Sequence, residues 1–188
     1  MAERRKIIVV TDGDKNARRA VEVAAKNIGA RCITASEGNP TPLSGPEMVN
    51  LIKTAQHEPV VVMVDDRGSC RKGAGERVLE YLGENPDIEI IGAVAVASND
   101  PVAEGVEVDF SVSREGELVR GPVNKQGQPE GDGRALLEGD TVDVLRKLGV
   151  PVIVGTGDTG KMDGADSFRD GAPITTRAFQ EILRRSRE

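Results

Sequence analysis

The chain has 188 residues, a formal net charge of −6 and 38% hydrophobic residues. That length can bury one well-formed domain, and the acidic balance argues against nucleic-acid binding, which needs Lys and Arg to displace counterions from phosphates. No apolar run approaches the roughly 20 residues that span a bilayer, and "MAERRK" followed at once by "IIVV" lacks the length and cleavage site of a signal peptide, so a soluble, intracellular protein is expected. Cys32 and Cys70 sit in different segments without metal-type spacing, so reduced thiols are expected.

The predicted elements alternate strand and helix. "KIIVVT" (6–11) is a short β-branched run that suits a strand buried on both faces. From Asp14 the period changes, and Ala17, Ala20, Val21, Ala24, Ala25 and Ile28 form one helical stripe that Gly29 can end. "ARCITA" (30–35) predicts a second strand, and "SEGNPTPLSG" is too rich in Gly and Pro for anything but a loop. Ser44 and Glu47 have capping-box spacing ahead of Met48, Leu51, Ile52 and Ala55, which marks a second helix. "PVVVMV" (59–64) and "IEIIGAVAVA" (88–97) predict strands three and four, with a shorter helix around Val78, Leu79 and Leu82 between them. Strands joined by helices imply a parallel sheet.

The rhythm then breaks. "VEVDFSVS" (106–113) alternates, placing Val106, Val108, Phe110 and Val112 on one face, and Arg114-Glu115-Gly116 before "ELVR" signals a hairpin. Residues 121–139 read as loop, followed by a helix from Asp140 to Leu148, a fifth strand "PVIVG" and a terminal helix from about Pro173. The expected fold is α/β: one three-layer, Rossmann-like domain over 1–188 of the flavodoxin or receiver kind. It has a mostly parallel five-stranded sheet, with a hairpin at 106–120 inside an insertion over about 105–139.

In such sheets ligands bind beyond the carboxyl ends of the strands. Those ends carry Asp12 and Asp14, "SEGNPT", Asp65, Asp66 and Arg67, then Ser98, Asn99 and Asp100, and finally Gly155, Gly157, Asp158, Thr159, Gly160 and Lys161. Carboxylates beside a lysine suit a magnesium ion or a small anion, with Asp12, Asp14 and Asp65 as the metal ligands. Loop carboxylates also cap helices, which is the plainer reading. "GTGDTGK" imitates a phosphate-binding loop, but Met162 replaces the Ser or Thr that would hold magnesium, and Gly164, Gly171 and Pro173 argue against the helix such a loop needs. A glycine-rich turn carrying Asp158 and Lys161 over the sheet edge is expected instead. His57, the single histidine, falls before strand three and so at the opposite end of the sheet. Cys70, beside Arg71 and Lys72, is a candidate activated thiol but is expected to be a spectator. Asp163, Asp166 and Asp170 lack calcium-loop spacing and are expected to be solvated. The basic tips, 4–6 and 184–187, are read as solvated ends that could also touch an anionic membrane.

Two resemblances emerge. Asp12, Asp14, Asp65 or Asp66, Ser98 and Lys161 occupy, in order, the slots of a phosphoacceptor receiver domain, although Lys161 lies beyond the strand end and no Lys-Pro pair is present. More specifically, "VTDGD", "SEGNPTPLSG", "VVVMVDD", "AVAVASN", "GVPVIVGTGDTGKM" and "GAPIT" together resemble the hydrophilic stage V sporulation protein AE family of endospore-forming bacteria, over essentially the whole chain. This resemblance implies an accessory, non-enzymatic sporulation and germination protein. It would be cytoplasmic or in the forespore and peripheral to the inner spore membrane. There it would associate with the other stage V sporulation proteins that move dipicolinic acid with calcium. It supplies no catalytic residues. The alternative is a magnesium-dependent, receiver-like phosphoryl-transfer protein using the carboxylates after strands one and three.

Overall fold

A computed structural model describes residues 3–67, 71–99, 105–131, 136–139 and 141–188. Its central sheet runs in the order β2 (Arg31–Cys32), β3 (Val60–Met63), β1 (Arg5–Val10), β4 (Ile88–Val96), β9 (Ile153–Thr156), β6 (Phe110–Val112) and β7 (Leu118–Val119). Every pairing is parallel except β6 with β7. The α/β reading with a mostly parallel sheet holds, with seven strands in place of five because the hairpin joins the sheet edge. Counting only the five expected strands, the order is 2-3-1-4-5, whereas flavodoxin-like sheets run 2-1-3-4-5. The likeness to a receiver therefore lies in the layers and not in the strand order.

Two apolar layers cover the sheet. On one face α1 (Lys15–Asn27) and α5 (Pro173–Arg185) bury Ala20, Val21, Ala24, Ala178, Phe179 and Ile182 against Ile8, Val10, Val94 and Val154. On the other, α2 (Gly45–Thr54), α3 (Ala74–Glu84) and α4 (Val142–Lys147) bury Met48, Ile52, Leu79, Leu82 and Leu145 against Ile7, Val9, Val62 and Ala93. Alternate residues of one strand feed opposite layers, as a doubly covered sheet requires. The Ser44 to Glu47 capping box forms as its spacing predicts.

Three local expectations are corrected. The second strand shrinks to two residues because the chain turns into a 3-10 turn at Thr34–Ser36, where Ser36 Oγ donates to the Ile33 carbonyl. The alternating run 106–112 does not keep to one face. β5 (Gly105–Val106) pairs with β8 (Leu137–Glu138) in a separate two-stranded sheet, so Val106 and Val108 join the α2–α4 layer. Phe110 and Val112 join the α1–α5 layer instead. Asp166 is fully buried rather than solvated, while Asp163 and Asp170 are exposed as expected.

Candidate functional site

The parallel register of β1 with β3 matches Val10 to Met63. Two residues further on, Asp12 and Asp65 leave adjacent strand ends side by side. From there the chain after β1 enters α1 on one face, while the chain after β3 enters α3 on the other. Diverging connections open a crevice at the carboxyl edge, where ligands collect in such sheets.

Asp14 is the N-cap of α1, its Oδ1 accepting from the Asn16 and Ala17 amides at 2.8 Å each. That geometry aims its other oxygen, Oδ2, away from the helix, to within 2.7 Å of Lys161 Nζ. β9 delivers Asp158 and Lys161 to the same place. Buried Gly155 closes the strand with Thr156, and the chain then turns through Gly157, Asp158, Thr159 and Gly160. Gly160 has φ +77, and a Cβ there would lie 2.5 Å from the Asn16 carbonyl, so only glycine lets this turn lie on the start of α1. A Cβ on Gly157 would meet the Gly127 amide at 2.5 Å, because the inserted loop packs on the turn. No long helix follows Lys161, in keeping with the sequence, and Met162 is buried in the α1–α5 layer.

Lys161 Nζ also lies 3.1 Å from Asp158 Oδ2, and Lys125 Nζ lies 3.9 Å from that same oxygen. Carboxylate oxygens of Asp12, Asp14 and Asp158 all fall within 4.8 Å of one another. Asp12 is 7% exposed, and its Oδ2 has no hydrogen-bond partner among the described residues. Burial, with the neighbouring Asp14, Asp158 and Asp65 carboxylates, holds Asp12 well above the usual carboxylate range. Burial also acts on Asp14, but hydrogen bonds from Lys161 and the Ala17 and Asn16 amides outweigh it and hold this carboxyl below its ordinary value. Burial works against the Lys161 ammonium, yet its bonds to Asp14 and Asp158 win and raise its pKa. Electrostatically, the three carboxylates favour positive charge, and the Lys161 ammonium supplies one.

The remaining predicted residues are placed elsewhere. Asp65 accepts the Gly13 amide at 3.0 Å and the Arg67 amide at 3.1 Å, one on each oxygen, and so ties the β1 and β3 loops together. Asp66 turns to the opposite face, accepting from the Gly75 and Glu76 amides at the start of α3 and from Thr141 Oγ1. Ser98 donates its amide to Glu138, on the small β5–β8 sheet. Asp166 accepts from the Gly160, Ile174 and Thr175 amides and from Thr175 Oγ1, which clamps the glycine turn to the start of α5. Cys70 and Asp100 lie outside the described residues. His57 is exposed, just ahead of β3.

Lys125 was invisible to strand-end reasoning because it sits in the insertion. It arrives because the Asp158 amide donates to the Lys125 carbonyl at 2.8 Å. Thr156 and Thr159 are buried with hydroxyls that find no partner among the described residues. An orphaned buried hydroxyl is uncommon, but nothing in the sequence distinguishes these from other strand-end threonines. Among the described residues, no helix is long and apolar enough to cross a membrane.

Comparison with curated proteins and with solved structures finds no match. The family model of stage V sporulation protein AE1 matches residues 6–186, nearly the whole chain, in agreement with the motif resemblance. This chain therefore belongs to the stage V sporulation protein AE1 family and is a sporulation-related protein.

Proposed function

We propose that this protein is a non-enzymatic accessory component of the dipicolinic acid machinery of the spore, linked to germination, and that it binds a hard divalent cation at Asp12, Asp14 and Asp158. Lys125 and Lys161 border the same crevice and suit a small anion beside the cation. In this reading the partners are other stage V sporulation proteins at the inner spore membrane, and the chain is peripheral to that membrane. Family membership supports the sporulation role.

The observation that carries the proposed site is buried Asp12, whose Oδ2 finds no partner among the described residues and lies within reach of two more carboxylates. Ionising a buried carboxyl with one oxygen unsatisfied is costly, and a divalent ion would offset that cost while accepting oxygen ligands and keeping several waters. We favour binding over phosphoryl transfer because Asp65 and Asp66, which the latter would enlist, already spend their oxygens on loop and helix amides.

Calorimetric titration with magnesium or calcium chloride tests this. The account predicts dissociation constants of about 10⁻⁴–10⁻³ M, weakened at least about tenfold in Asp12→Asn. Repeating the calcium titration with dipicolinate present tests the proposed link to that acid. Absence of divalent binding by the wild-type chain would contradict the site.

A further inference from the structure

Lys161 stands where the cation would. Its ammonium lies 2.7 Å from Asp14 Oδ2 and 3.1 Å from Asp158 Oδ2, bridging two of the three clustered carboxylates and leaving Asp12 Oδ2 unpaired. A metal ion cannot take those oxygens while the ammonium stays, because two cations a few ångströms apart repel strongly where water is scarce. The lysine has a route out to solvent. Its side chain is 37% exposed. The turn that carries it is held by other bonds, namely the Lys161 amide to the Asp158 carbonyl and the Gly160 amide to the Asp166 carboxylate.

We propose, resting on the cation-binding reading above, that Lys161 is a tethered competitor that keeps monovalent cations out of the site and yields only to divalent ones. The charge balance makes the distinction. A sodium or potassium ion would replace one positive charge by another and forfeit two charge-assisted hydrogen bonds. A divalent ion brings twice the charge and also satisfies Asp12, which the ammonium leaves alone. Lys161 thus sets both the affinity threshold and the valence selectivity, with no part in holding the metal.

The test compares the wild-type chain with Lys161→Met and Lys161→Arg. Magnesium or calcium chloride is titrated calorimetrically at constant ionic strength, in either tetramethylammonium chloride or sodium chloride. Lys161→Met should bind the divalent ion about tenfold tighter than wild type, and exchanging tetramethylammonium for sodium should weaken its binding. Wild type should be indifferent to that exchange. Lys161→Arg, which keeps the charge, should stay close to wild type. If Lys161→Met does not fold, Lys161→Gln replaces it and should show the same gain. Divalent binding that is unchanged when the lysine charge is removed overturns the competitor role and leaves the cation site standing. No divalent binding by any variant overturns the cation site as well.

Discussion

Asp12 and Asp65 show how neighbouring carboxylates diverge in role. They leave adjacent strands at the same level, but Asp65 accepts two backbone amides, whereas among the described residues Asp12 receives only the Asp14 amide at 3.4 Å. Asp12 is therefore a liability to the empty fold, of the kind functional sites carry. In the cation-free chain at neutral pH, Asp12→Asn should raise stability by about 1–3 kcal/mol, read as a higher denaturant midpoint with an unchanged slope. The sign follows from the raised pKa. The native state binds the Asp12 proton more tightly than the unfolded chain, so this residue's contribution to stability falls as pH rises from about 4 through the native value, and Asp12→Asn should lack that slope. A variant less stable than wild type at pH 7 would contradict this account of Asp12.

At the scale of elements, Asp166 ties the glycine turn after β9 to the start of α5. Its carboxylate receives three amides and one hydroxyl, joining residue 160 to the first turn of α5. Asp166→Ala leaves those buried donors without partners and should cost about 3–5 kcal/mol in thermal or denaturant unfolding, with divalent binding weakened as Asp158 loses its support. A loss below about 1 kcal/mol would show that the clamp is dispensable.

Much of this level was legible in the sequence. The caps at Asp14 and Ser44, the apolar strands and the non-helical stretch after Lys161 all follow from local spacing. What was not legible depends on distant partners. Asp166 reads as one of several loop aspartates until Gly160 and α5 converge on it. The run 106–112 alternates cleanly, yet the chain leaves one sheet and enters another between Val106 and Phe110, which reverses the face. The grouping of carboxylates depends on distant partners too: Asp158 stands beside Asp12 and Asp14, while Asp65 turns to the Gly13 and Arg67 amides.

At the scale of the molecule, the two ends of the sheet differ. The carboxyl edge gathers Asp12, Asp14, Asp158, Lys125 and Lys161. The opposite end carries Arg5 at the start of β1, with Arg184 and Arg187 beside Asn27 and Ile28 at the close of α1. Arg5, Arg184 and Arg187 thus lie at the end of the sheet away from the clustered carboxylates, Arg5 against Glu58 and the Ala55 carbonyl and Arg184 against Glu181 and Glu188.

The most direct measurement is a crystal structure grown with manganese as a surrogate for magnesium, read for anomalous density. The account predicts a peak between Asp12, Asp14 and Asp158, with Lys161 Nζ swung out of contact with Asp14. Density that shows no ion, with the Lys161 ammonium still bridging Asp14 and Asp158, would contradict it.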